Sequence, residues 1–260
     1  MQKVCLVTGG SRGIGAAVCR ALLARGCRVY ALSRSGTGPD GVENLVGDVT
    51  DPGSVEAAMA QIAAREGRLD VLVCNAGTVI SGSVEYIAPD AVSRLMALNF
   101  EGTAHCVRTA IPIMRASGGG RILCIASMAA AFPIAFHAYY SASKAAVTAF
   151  AAAVYNEVRP FNIGVCAVLP GDTKTNPVRD KFHEGDALYG GRISRGVAAM
   201  ERDEQNGMDP DKVGRAIARI ALTRRVGPAY TIGFVSKAQL FLKRFLPASF
   251  VAFVLRKLYA

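Results

Sequence analysis

Apolar and polar positions along the chain change period in blocks, and the blocks alternate. Residues 3 to 8 (Lys-Val-Cys-Leu-Val-Thr) form a short apolar run closed by glycines, and Gly13 to Ala24 follows with apolar residues at helical spacing. The same alternation predicts strands at Arg28 to Leu32, Asn44 to Val46, Asp70 to Cys74, Arg121 to Ala126 and Gly164 to Val168. Between them it predicts helices at Ser54 to Arg65, Pro89 to Ala116 and Tyr139 to Val158. Strands that alternate with helices of this length need right-handed crossovers, which give a parallel sheet covered on both faces. The expected fold is a doubly wound, Rossmann-type α/β sheet, with residues 1–260 in a single domain. Residues 171–209 break the rhythm with a polar, glycine-containing stretch too long for an ordinary connection, and are expected to form a lid over a site.

A chain of 260 residues can bury one large core. Hydrophobic residues make up 51% of it, with no repeat or low-complexity tract, which argues against disorder and solenoids. The seven cysteines are scattered through apolar runs without a CxxC pair, and the three histidines have no ligand spacing, so no metal is expected. His105, His137 and His183 read as structural or exposed, with a place for His137 on a pocket rim as the alternative. Apolar cysteines and an N-terminus that enters a strand directly point to a cytoplasmic protein.

The net charge of +10 lies entirely at one end: Lys212 onward carries ten Lys/Arg and no acid, leaving 20 basic against 20 acidic residues before it. Ser236 to Ala260 mixes these cations with Leu, Phe and Val, and Pro247 divides it into two short predicted helices. Two readings stand. One is an interfacial segment in peripheral contact with anionic lipid; the other is a flap that closes a pocket or joins subunits. No nucleic-acid motif accompanies the charge, so nucleic acid is not an expected partner.

Thr8-Gly9-Gly10-Ser11-Arg12-Gly13-Ile14-Gly15 puts glycines where the first strand turns into the first helix, so backbone and helix N–H groups can approach a pyrophosphate. The second strand ends Ala31-Leu32-Ser33-Arg34, without the acid that would hold a ribose 2′-hydroxyl. Arg34 and Arg12 offer planar donors to a 2′-phosphate, and Ser33 carries no opposing charge, so the expected cofactor is NADP(H). The alternative is that both arginines are solvated surface residues.

Tyr140-Ser141-Ala142-Ser143-Lys144 sets Tyr140 and Lys144 one helical turn apart on one face. Two charges about 4 Å apart at an effective dielectric of about 20 interact by about 4 kcal/mol, enough to move a phenol by about three pKa units. Ser127 ends the preceding strand, where open α/β sheets bind ligands, and either hydrogen-bonds a substrate carbonyl or caps the following turn.

Together these residues resemble the short-chain dehydrogenase/reductase family from residue 3 to about 175. Thr8 to Gly15 matches its TGxxxGxG motif, Asp48 its adenine-contacting acid, and Asn75-Ala76-Gly77 the segment beside the cofactor. Asn99, Ser127, Tyr140 and Lys144 match its catalytic tetrad, and Pro170-Gly171 with Thr173 and Thr175 its nicotinamide segment. The resemblance implies that Tyr140 transfers the proton, Lys144 binds the nicotinamide ribose and lowers the Tyr140 pKa, Ser127 orients the substrate oxygen and Asn99 holds a relay water. Among the cofactor contacts it implies Gly9, Ser11, Arg12, Gly13, Ile14, Ser33 and Arg34. It also implies a homodimer or homotetramer. One departure is Cys74, where that family's motif usually begins with a second Asn.

The expected activity is interconversion of an alcohol and a ketone or aldehyde. The apolar set Met128, Phe132, Pro133, Ile134 and Phe136 favours a bulky hydroxysteroid-like or lipid-like substrate, and Arg159-Pro160-Phe161-Asn162 resembles members acting on such molecules. The chain also lacks the Asp-Gly-Gly segment near its end that many acyl-carrier-protein and sugar reductases carry. Small polar carbonyls, or a non-catalytic NADP(H)-binding sensor, are the alternatives.

Overall fold

The computed structural model describes residues 2–175 and 178–259. In chain order it forms β1 (Val4–Thr8), α1 (Gly13–Leu23), β2 (Arg28–Ser33), β3 (Glu43–Val46), α2 (Pro52–Glu66), β4 (Val71–Cys74), β5 (Val79–Ser81) and α3 (Pro89–Met96). A π-helical turn (Ala97–Glu101) leads into α4 (Gly102–Ala116), followed by β6 (Gly120–Ile125), α5 (Ala138–Glu157) and β7 (Ile163–Pro170). The remainder comprises β8 (Arg179–Lys181), α6 (Arg192–Gln205), α7 (Pro210–Ala221), β9 (Ala229–Ile232), α8 (Phe234–Lys243) and α9 (Ala248–Tyr259).

Seven parallel strands run in the order β3-β2-β1-β4-β6-β7-β9. Side chains alternate across this sheet, and both faces are buried. Leu6, Tyr30, Leu72, Ile122 and Val165 pack under α2, α4 and α5, while Val7, Val29, Val73, Leu123 and Val168 pack under α1 and α7. The architecture is the doubly wound single domain. Chain order reverses between β1 and β4, and the crevice outside their carboxyl ends is where such sheets hold ligands. All seven cysteines are free and buried.

Three features depart from the periodic reading. The helix expected over Pro89 to Ala116 is divided, because residues 97–101 widen into a π turn that hydropathy cannot register. Within the expected lid of 171–209, residues 176 and 177 lie outside the described residues. The rest contributes β8, which pairs with β5 in a separate two-stranded parallel sheet, and α6. Each of β5 and β8 has three residues, too few for a periodic signature. Beyond residue 209, α7 and β9 complete the α/β repeat, with Ala229 to Ile232 in register on Ala167 to Pro170. Among the described residues, no helix is long and apolar enough to cross a membrane.

Candidate active site

The turn after β1 is locked to the end of β4. Thr8 Oγ1 accepts hydrogen bonds from the N–H groups of Asn75 (3.0 Å) and Ala76 (3.1 Å), and Asn75 Nδ2 donates to the carbonyls of Thr8 (3.1 Å) and Gly9 (3.3 Å). Gly9 and Gly13 lie at φ 64° and 55°, in the left-handed region that favours glycine. A Cβ on Gly15 would stand 2.1 Å from the Gly9 carbonyl oxygen, so only glycine lets the helix start this close to the turn. α1 opens without a side-chain cap and without an acid in its first turn, which leaves its N–H groups and dipole facing the crevice.

Ser11, Arg12, Gly13 and Ile14 line one large cavity with Ser33 and Arg34 from the end of β2. Neither arginine pairs with a carboxylate among the described residues. Asp48 Oδ1 accepts from the N–H and Oγ1 of Thr50, both at 2.9 Å, leaving the second oxygen of the carboxylate available. On the opposite wall the Gly171 N–H donates to the Ile232 carbonyl (3.1 Å) and Thr173 Oγ1 donates to the Gly171 carbonyl (2.8 Å). The Thr175 methyl stands 3.5 Å from where a Cβ of Gly13 would be, so this segment closes over the glycine turn. Uncapped helix N–H groups, a glycine-lined floor and two free guanidinium groups on one crevice fit a phosphate-bearing dinucleotide.

The same cavity, about 1250 Å³, takes in Asn75, Ala76, Gly77, Ser127, Tyr140, Lys144 and Pro170. Every residue expected at the site therefore lines it except Asn99. Asn99 is fully buried in the π turn: Nδ2 donates to the Thr78 carbonyl and to Ser143 Oγ, both at 3.0 Å, and Oδ1 accepts from the Thr78 N–H at 2.9 Å. Ser143 Oγ in turn donates to the Tyr140 carbonyl at 2.8 Å. The amide donors of Asn99 are thus committed to protein, and its position fixes α5 against the β4–β5 segment.

Ser127 performs the capping role, accepting from the Ala129 N–H at 3.2 Å, and also reaches Tyr140. Burial pushes the Tyr140 phenol above its ordinary value, and the hydrogen bond with Ser127 is the largest opposing influence. Lys144, expected from the family resemblance to lower this pKa, is not among the leading influences on it. The lysine is buried and its Nζ donates to the Ile125 carbonyl at 2.9 Å, with its own pKa pushed down to about 8 by burial. His137 does not line the rim. It is 1% exposed behind Tyr140, with ring centroids 6.3 Å apart, and among the described residues neither ring nitrogen has a partner at full hydrogen-bonding geometry.

Of the expected apolar set, Met128, Phe132 and Ile134 line the cavity and Pro133 and Phe136 do not. Phe136 has a left-handed backbone (φ 63°) that carries its ring away to Tyr189, at 5.9 Å. Arg159 to Phe161 form a turn before β7, outside this cavity. The missing wall comes from the tail. Leu242, Leu246, Phe250, Val254 and Leu258 recur at every fourth position and line the cavity. That stripe was the sequence signal for a pocket wall; Glu204, which also lines the cavity and pairs with the buried Arg179, gave none.

The model of the short chain dehydrogenase family matches residues 3–185. A 3-ketodihydrosphingosine reductase of Bacteroides thetaiotaomicron is 35% identical over 269 aligned positions, covering 99% of this chain and 98% of the relative. A 3-oxoacyl-acyl-carrier-protein reductase of Escherichia coli is 30% identical over 185 positions, covering 68% of this chain and 76% of the relative. The crystal structure of a short-chain dehydrogenase from Streptomyces avermitilis superposes with a TM-score of 0.85 at 29% identity, covering 94% of this chain and 92% of that one. With this fold and this match, the chain belongs to the short-chain dehydrogenase/reductase family of oxidoreductases, which bind a nicotinamide cofactor.

Proposed function

We propose that the chain is an NADP(H)-dependent reductase of ketones carried on long apolar chains, with Tyr140 as the proton donor. The observation that carries this reading is the continuity of one cavity, from the glycine turn past Ser127 and Tyr140 to the apolar stripe of α8 and α9. The Bacteroides relative, named for a long-chain ketone, aligns across the tail as well as the sheet, which supports the same substrate class.

Arg12, Ser33 and Arg34 would take the 2′-phosphate, the turn from Gly9 to Ile14 the pyrophosphate and Asp48 the adenine side; Asn75 to Gly77 would lie beside the cofactor, with Pro170, Gly171, Thr173 and Thr175 on the nicotinamide side. A bound nicotinamide supplies the hydride. Ser127 hydrogen-bonds the carbonyl oxygen and Tyr140 delivers a proton to it as charge develops, so that hydride and proton together yield the alcohol. Burial keeps Tyr140 protonated at neutral pH, the form reduction requires. Lys144 holds the ribose, and Asn99 is a positioning residue acting through Ser143. Family membership favours a homodimer or homotetramer.

The test is NADPH oxidation against a ketone series of increasing chain length. Each methylene buried against the tail is worth about 0.8 kcal/mol, so kcat/KM should rise by up to about fourfold per carbon until the cavity is filled. Tyr140→Phe should abolish turnover of the whole series. Reduction of small polar carbonyls alone would overturn the substrate assignment, and undiminished turnover by Tyr140→Phe would overturn the mechanism.

A further inference from the structure

We propose that the outer face of α8 and α9 docks on an anionic lipid bilayer, and that a long-chain substrate reaches the cavity from that bilayer. The second clause rests on the substrate reading above; the first does not. Ten of the fifteen large hydrophobic side chains exposed in the described residues fall between Phe234 and Leu258. Phe234 is 87% exposed and Phe245 71%, and α9 has no buried residue. Leu242, Leu246, Phe250, Val254 and Leu258 belong to the cavity, which leaves Phe234, Val235, Phe241, Phe245 and Phe253 to the outer face. An apolar surface of this extent on a water-facing element marks a contact site.

Charge identifies the occupant. Lys237, Arg244, Arg256 and Lys257 are exposed and have no carboxylate partner among the described residues. Lys243, by contrast, is turned inward to the Ala131 carbonyl and over the Phe132 ring. Arg256 and Lys257 stand 5.6 and 5.9 Å from the Phe253 ring, so cations and aromatic rings share one face, as at the boundary between headgroups and acyl chains. The helices have 10 and 12 residues, too short to span a bilayer and long enough to lie on one. No acid occurs after Asp211, so a second copy pairing through this face would set cation against cation. Phosphate headgroups complement that charge, and acyl chains complement the rings.

The chain has no tryptophan, so Phe253→Trp installs a single reporter. Vesicles of equal parts phosphatidylglycerol and phosphatidylcholine should shift its emission to the blue and co-sediment the full chain; pure phosphatidylcholine should do so weakly, and added salt should reverse the binding. Lys237→Gln with Arg244→Gln should weaken vesicle binding by about fivefold per cation. Phe245→Ser should weaken it by about tenfold. All variants should retain the parent melting temperature within a few degrees, which separates lost docking from lost folding. The proposal is overturned if the full chain ignores anionic vesicles at low salt, or binds neutral ones equally well. It is also overturned if Phe245→Ser dissolves a dimer of the parent protein without affecting vesicle binding. Vesicle binding without turnover of any long-chain ketone would leave the docking face standing and remove the substrate reading alone.

Discussion

If the chain takes NADP(H) as proposed, Arg34 is the side chain expected to decide cofactor choice. It follows β2 on the cavity wall beside Ser33, with no carboxylate partner among the described residues, so its guanidinium is available to a 2′-phosphate. Arg34→Asp replaces that donor with a charge that repels phosphate and can accept from a 2′-hydroxyl. The ratio of kcat/KM for NADPH over NADH should fall by at least about a hundredfold, the loss of one charge-assisted pair plus the added repulsion. An unchanged ratio would assign the choice elsewhere. His137 makes a prediction about stability. Burial pushes its pKa from 6.5 down to about 3, with Arg179 acting in the same direction, so the folded protein keeps it neutral where the unfolded chain protonates it. The unfolded state therefore binds the extra proton between those values, and stability falls as pH drops from 6.5 towards 3. By pH 4 this amounts to about 3 kcal/mol. His137→Phe should flatten the melting temperature between pH 6.5 and 4; an equally steep decline in the variant would acquit the histidine. Arg34 stood out in the sequence because its position follows a strand end. The burial of His137 did not, since a histidine before a helix reads alike whether it faces solvent or the core.

At the scale of elements, the site depends on how closely α1 approaches β1 and β4. Because a Cβ on Gly15 would overlap the Gly9 carbonyl and come within 2.6 Å of Asn75 Nδ2, Gly15→Ala must push the helix away from the turn or break the Asn75 bonds to it. Overpacking of this kind costs about 1–3 kcal/mol. A corresponding drop in melting temperature is expected, together with at least tenfold weaker NADPH binding by calorimetry; retention of both would show that the turn is compliant. The first six strands of the sheet, β1 to β4, β6 and β7, and the helices between them were legible because buried parallel strands read as unbroken apolar runs and covering helices as 3.6-residue patterns; α7 and β9 were not. The π turn carrying Asn99 was not, since one added residue in a helical turn leaves hydropathy unchanged. Nor was the β5–β8 pair, where three residues each are held by partners 100 positions apart in sequence.

For the whole molecule, the tail is the element that changes what the cavity can accept. α9 contributes no buried residue to the core but lines the cavity through Phe250, Val254 and Leu258. Ending the chain after Pro247 should leave the melting temperature within a few degrees. It should lower kcat/KM for a long-chain ketone by about tenfold or more while sparing a short one. Equal losses on both substrates would mean that α9 supports the catalytic face instead of the apolar wall. The sequence by itself determined the doubly wound sheet, the glycine turn and the candidate proton donor, because each rests on local period or on short spacing within one strand, turn or helix. Tertiary structure alone decided that burial raises the Tyr140 pKa against the opposing Ser127 hydrogen bond, that Asn99 stands behind the wall, and that the tail stripe at every fourth residue meets the same cavity. Those outcomes depend on surfaces brought together from different elements, 44 residues apart for Asn99 and Ser143 and 112 for Lys243 and Ala131, and no local pattern encodes such contacts.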